Sequence, residues 1–279
     1  MEKFKISYNA STVTGSREYN QDVFLVDSVI SEPNSKSNQY FEDEYITSDT
    51  VKVFVVCDGV GMFKNSGMAA KSALEAVSER VEAYNSAVES AEADKDDISI
   101  TLRDWVVETI SAAKESMLDY CSKNCTAGSS TISMLAIRNN EYVYANIGDS
   151  PAFLMKENGD FSELSIRHNL ATLRRMLNEE PAEGEECVLI YHLGERRQDV
   201  ASTVNIKQGT LGDKDAFLVC SDGVVNILSE KEIQQLLSEK KSSCVFVTDA
   251  EKTEGSDNCT AITIYTEAYS DDASTDTDK

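Results

Sequence analysis

Two hydrophobic rhythms alternate along the chain. Runs rich in Val, Ile, Phe and Tyr occur at 3–9, 22–27, 51–57, 131–138, 141–147, 152–155, 187–192, 216–220 and 260–266. Each is short and bounded by turn-forming residues, so each reads as a strand. Asn139-Asn140, between two of them, predicts a tight hairpin turn. Two longer segments follow the helical period instead. In the first, Ala70, Ala73, Leu74, Val77, Val81, Tyr84 and Val88 share a face, with Asn65 or Ser66 placed to cap it. In the second, Leu102, Val106, Ile110, Ala113, Met117 and Cys121 make an equally clean stripe. A third helix at 231–237 follows Ser229, and Glu232 three residues later completes a capping box.

Strands come in hairpin-like groups and helices in blocks. That grouping predicts an α+β fold, antiparallel sheets with helices packed outside, over a doubly wound parallel sheet. The polar stretch 28–50, with Glu42-Asp43-Glu44, reads as an exposed hairpin loop, and 167–186 as an irregular helical, flap-like insertion. No repeat or linker interrupts residues 1–267, which read as one domain; 268–279 read as an acidic disordered tail.

Composition narrows the partners. The chain has 279 residues with 49 Asp and Glu against 26 Lys and Arg, a formal net charge of −23. The tail from Glu267 onward carries only five of those acids, so the body itself is acidic. Such a surface repels nucleic acid and anionic lipid, both of which are bound through Lys and Arg. No apolar run approaches the ~20 residues of a membrane helix, and the first residues lack the apolar centre of a signal peptide. A soluble, cytoplasmic, monomeric protein is expected. Seven Cys with only two His, His168 and His192, indicate reduced thiols and no zinc site.

The chemistry lies in the aspartates. Asp58 and Asp222, each followed by Gly, sit at the ends of hydrophobic runs, and Asp149 follows a third such run. Asp22 and Asp257 stand at the starts of two others. In antiparallel neighbours one strand's end lies beside the next strand's beginning, so these five carboxylates can meet at one edge of the sheets. Like charges that close repel strongly, and protons or cations must fill the gap. An all-oxygen set without His or Cys suits Mg²⁺ or Mn²⁺.

These residues also carry a resemblance. Gly15-Ser16-Arg17-Glu18-Tyr19-Asn20-Gln21-Asp22, Val55-Val56-Cys57-Asp58-Gly59-Val60-Gly61, Ala127-Gly128-Ser129-Ser130-Thr131, Ala145-Asn146-Ile147-Gly148-Asp149-Ser150, Asp215-Ala216-Phe217-Leu218-Val219-Cys220-Ser221-Asp222-Gly223 and Ser256-Asp257-Asn258-Cys259-Thr260 follow in order. The chain resembles the metal-dependent protein phosphatases, the type 2C serine/threonine family, in a bacterial-like form. The resemblance implies a four-layer α-β-β-α sandwich of two antiparallel sheets flanked by helices. It implies two Mn²⁺ or Mg²⁺ ions, with Asp58 bridging them, the Gly59 carbonyl on one, and Asp222 and Asp257 on the other. Asp22 would act through bound water and Arg17 would hold the substrate phosphate. The implied reaction is direct hydrolysis of a phosphate monoester by a metal-bridging water. The implied partners are proteins phosphorylated on Ser or Thr, and with them a cognate protein kinase.

The departures from the family pattern are equally specific. Pro151 stands where the family usually has Arg, and Asn226 where it usually has an acid that joins Asp149 in a third, weaker metal site. Arg167-His168 replaces Asp-His, and Val60 stands where many relatives carry His and bacterial ones Met. Leaving-group protonation would then fall to a metal-bound water. The glycine-rich stretch after Gly61 reads Met62-Phe63-Lys64-Asn65-Ser66-Gly67. His168 and His192 read as surface or structural.

Other chemistries fail on spacing. None of the seven Cys has Arg six residues on, and Asp-x-Asp, present at 94–96, 213–215 and 276–278, nowhere directly follows an apolar strand run. Neither a P-loop nor a Gly-x-Ser-x-Gly elbow is present. The alternative is a weak or inactive relative that binds phosphoproteins or regulates a kinase, motivated by Pro151 and Asn226.

Overall fold

The computed structural model describes residues 2–61, 65–90 and 100–270. Strands β1 (Lys3–Val13), β2 (Val23–Val26), β3 (Val29–Ile30), β4 (Gln39–Ile46) and β5 (Lys52–Cys57) lead into helices α1 (Ser66–Ser90) and α2 (Leu102–Lys123). Strands β6 (Ile132–Arg138), β7 (Glu141–Ile147), β8 (Ala152–Met155) and β9 (Phe161–Glu163) follow, then α3 (Leu170–Met176) and α4 (Val200–Thr203). The chain continues through β10 (Asn205–Thr210), β11 (Ala216–Cys220), α5 (Asp222–Val225), α6 (Glu230–Ser238), α7 (Ser243–Val247) and β12 (Cys259–Tyr269).

The strands form two six-stranded sheets, ordered β4-β1-β12-β11-β8-β9 and β10-β7-β6-β5-β2-β3. The paired strands run antiparallel. Period-two alternation explains why the central strands are apolar throughout. In β5, Val53, Val55 and Cys57 pack under α1 and α2, while Phe54 and Val56 enter the core between the sheets. In β11, Phe217 and Val219 fill that same inner core, while Ala216, Leu218 and Cys220 pack against Ile233, Leu237 and Phe246 of α6 and α7. Helices therefore cover the outer face of each sheet, giving the expected α-β-β-α layering. Among the described residues no helix is long and apolar enough to cross a membrane.

Four elements differ from the sequence reading. Residues 187–192 are not a strand: Glu185–Cys187 is a 3₁₀ turn, and Leu189 makes only an isolated bridge to Asn169. Their apolar side chains find no sheet to join, and Val188 and Tyr191 stay exposed. Within 28–50, β4 is a true strand on the edge beside β1. Its charged outer positions hide the signal, while Phe41 and Tyr45 lie against Tyr8 with ring centroids 6.2 and 6.1 Å away. The polar strand β10 pairs with β7 at the other sheet's edge and escapes a search for apolar runs. Strand β12 continues to Tyr269, beyond the expected start of the tail; residues 62–64 and 271–279 lie outside the described residues. The capping box at Ser229 and Glu232 forms as expected.

The sheets end in tight packing at the edge that matters. A Cβ on Gly223 would stand 2.0 Å from the Asn258 carbonyl oxygen. Gly223→Ala must therefore push the start of α5 away from β12, an overpacking cost of about 1–3 kcal/mol. Thermal unfolding should show a midpoint lowered by roughly 2–10 °C; an unchanged midpoint would mean the two backbones are not in this contact.

Candidate active site

Strand register decides which acids meet. Val23 pairs with Cys57, so Asp22 and Asp58, one residue outside each strand, stand at the same end. Cys220 pairs with Ala261, which brings Asp222 and Asp257 to the corresponding end of the other sheet. Asp149 sits in the turn between β7 and β8, after Gly148 at φ 110°, a left-handed conformation that favours glycine. Arg17, Asp58, Gly59, Asp149, Asp222 and Asp257 line one cleft of about 680 Å³. Asp22, 1% exposed, is not among the residues lining it.

The electrostatics are those of charges forced together. Burial, and then the charges of Asp22, Asp222, Asp149 and Asp257, hold the Asp58 carboxyl well above the usual carboxylate range. Burial and the neighbouring Asp222 push Asp149 up to about 7. Asp22 also rises to about 7 through burial, although hydrogen bonds from Ser221 and Thr260 pull the other way. Asp222 is raised by burial and by Asp257. Meanwhile Asp22 Oδ1 is buried with no hydrogen-bond partner among the described residues.

This donor set suits hard divalent cations: all oxygen, excess negative charge and an unsatisfied carboxylate oxygen. Among the described residues no three His, Cys, Asp or Glu side chains close on one point as the ligands of a single ion. Mutual repulsion of the carboxylates opposes such closure, and an ion shared by Asp58, Asp222 and Asp257 would have to draw them together.

Arg17 donates from Nη2 to Asp257 Oδ2 at 2.7 Å and remains 59% exposed at its side chain. The loop that carries it is clamped by Asn258, whose Nδ2 donates to the Thr14 and Tyr19 carbonyls and whose Oδ1 accepts from the Gln21 N–H. That clamp was missed by sequence reasoning, although Asn258 adjoins Asp257 in a quoted motif. Cys187 and Leu189 also border the cleft, brought there by the flap; nothing in their spacing signals it. Asn226 lies in the cleft wall and donates to Asp222 Oδ2 at 3.3 Å.

The histidines serve structure. His168 Nδ1 accepts from the Gly148 N–H, and burial lowers its pKa to about 4. His192 Nδ1 accepts from the Gly194 N–H and lies 2.6 Å from Ser129 Oγ. Arg167 is held by Glu163. Burial raises the Cys57, Cys220 and Cys259 thiols, which makes them poor nucleophiles.

Comparison with known proteins places this fold in a family. The profile of the protein phosphatase 2C family matches residues 34–255. The serine/threonine phosphatase stp of Listeria innocua is 22% identical over 244 residues, covering 83% of this chain and 89% of the Listeria protein. The solved structure of the S. agalactiae serine/threonine phosphatase superposes with a TM-score of 0.70 at 19% identity, over 93% of this chain and 99% of that one. The catalytic domain of the phosphatase PstP, solved with two manganese ions, gives a TM-score of 0.70 at 15% identity over 95% and 99%. With the family profile spanning most of its length and the fold shared, this chain belongs to the protein phosphatase 2C family of serine/threonine phosphatases.

Proposed function

We propose that the chain hydrolyses phosphoserine and phosphothreonine monoesters on proteins with the help of two divalent cations held around Asp58. The observation that carries this reading is the cluster of Asp22, Asp58, Asp149 and Asp222, all with raised carboxyl pKa values and one buried oxygen left without a partner. Acids gathered this closely need protons or cations to neutralise them, and a cation does so while leaving them as carboxylates near neutral pH. Two relatives support it by their descriptions, stp as a serine/threonine phosphatase and PstP as binding two manganese ions.

In this reading the two ions would be held by Asp58 in common, with the Gly59 carbonyl serving one and Asp222 and Asp257 the other, and Asp22 would act through water. Bound Mn²⁺ or Mg²⁺ would supply Lewis-acid stabilisation and an acidified water near neutral pH. Arg17 holds the non-bridging phosphate oxygens with its planar, permanently charged fork, and its bond to Asp257 keeps the guanidinium at the cleft. Val60 has no proton to donate, so the leaving oxygen takes its proton from water. Asn226 brings no charge to the third site beside Asp149, so that site is weak or absent. The negative body restricts binding to partners whose phosphate meets the cation-bearing cleft, and a cognate kinase would supply them.

Hydrolysis of a phosphothreonine peptide should require added Mn²⁺ or Mg²⁺ and stop in excess chelator; undiminished turnover in chelator would contradict the two-cation reading. Arg17→Ala should raise KM and lower kcat/KM by roughly 10- to 150-fold, the loss of a charge-assisted hydrogen bond of ~1.5–3 kcal/mol. Arg17→Lys should recover only part, because an ammonium cannot present two parallel donors. Kinetics beside calorimetric metal titration checks this. A defect confined to metal affinity, with KM unchanged at saturating metal, would reduce Arg17 to the partner of Asp257.

A further inference from the structure

Beneath the cleft, hydrogen bonds close a ring on Asp22. Thr260 Oγ1 donates to Asp22 Oδ2 at 2.8 Å, and Ser221 Oγ donates to the same oxygen at 2.7 Å. Thr260 Oγ1 also lies 2.7 Å from Thr12 Oγ1, its register partner across β1 and β12. A hydroxyl carries one proton, and that of Thr260 is already given to Asp22, so Thr12 must be the donor to Thr260. Thr12 in turn accepts from Asn20 Nδ2 at 2.8 Å, and Asn20 Oδ1 accepts from the Asp22 N–H at 3.1 Å. Ser221 Oγ accepts from the Thr260 N–H at 3.0 Å. The direction of donation is thus fixed all the way from Asn20 through Thr12 and Thr260 to Asp22.

All five residues, Thr12, Asn20, Asp22, Ser221 and Thr260, are at most 1% exposed. Two donors converge on Asp22 Oδ2, while Oδ1, also buried, has no partner among the described residues. A carboxylate can rotate to share donors between its oxygens, and this ring prevents it. We propose that Thr260 and Ser221, backed by Thr12, are positioning residues that saturate Oδ2 and so reserve Oδ1 as the oxygen facing a cation's water. The inference rests on the proposed two-cation reading. It assigns a role to hydroxyls that touch neither phosphate nor the cations.

The test compares Thr260→Val with Thr260→Ser. Both disturb packing, but only valine removes the hydroxyl. Mn²⁺ affinity by calorimetry, kinetics on a phosphothreonine peptide and the metal-free thermal midpoint are read for each. Thr260→Val should weaken Mn²⁺ binding by about 10-fold or more and lower kcat with KM little changed. Thr260→Ser should recover most of both, even where its metal-free midpoint falls as far. Ser221→Ala removes the other donor, carries the same expectation, and decides the matter if the valine variant does not fold. Affinity and kcat that follow the midpoint instead of the hydroxyl, or a valine variant that binds Mn²⁺ like the parent, would overturn the assignment. A parent that binds no Mn²⁺ in the same titration would instead refute the two-cation reading beneath it.

Discussion

Repulsion among carboxylates at the ends of β2, β5, β11 and β12 is the constraint around which this molecule is arranged. Each acid lies within two residues of a strand terminus, and the two sheets hold those termini at one edge. The energy that keeps them there is hydrophobic. Three apolar layers pack above, between and below the sheets, so the strand ends cannot drift apart to relieve the charge. A cation bound at a site strained in this way would cancel a cost already present in the fold.

The polar scaffold beneath the cleft is organised with the same economy. Asn258 ties the Arg17 loop to the start of β12, and the hydroxyls of Ser221 and Thr260 meet on one oxygen of Asp22. Thr131 does a related service for Asp58, its Oγ1 accepting from the Asp58 N–H while its own N–H donates to the Asp58 carbonyl. Neutral donors and backbone groups therefore orient the acids without cancelling their charge. Arg17 beside Asp257 is the one ion pair found among the cleft's named acids within the described residues.

Much of this was legible in the sequence. The five aspartates announced themselves because each adjoins an apolar run, and antiparallel pairing converts that adjacency into proximity. The layered architecture followed from hairpin grouping and from two helical stripes whose buried faces are now seen against β2, β5, β6 and β7. What failed did so where burial and hydropathy part company. The 187–192 run is apolar yet joins neither sheet, and β4 and β10 are polar yet paired, because an edge strand needs only one neighbour and one covered face. The clamp by Asn258 and the ring on Asp22 depend on side-chain geometry between residues some 240 positions apart. No local pattern encodes such distances.

The central claim is that the acids oppose the fold until a cation relieves them, and thermal unfolding against pH tests it directly. Asp22 and Asp149 titrate near 7 in the folded protein against an ordinary 3.8, so between those values the folded state binds more protons than the unfolded chain. Their stabilising contribution is full below about 4 and is lost as pH rises through about 7. Metal-free protein should therefore melt at a lower temperature at pH 7.5 than at pH 5.5. Mn²⁺ should restore more at the higher pH, and Asp58→Asn should shrink both effects. A metal-free midpoint that rises with pH over this range, or one indifferent to Mn²⁺ at pH 7.5, would contradict the account.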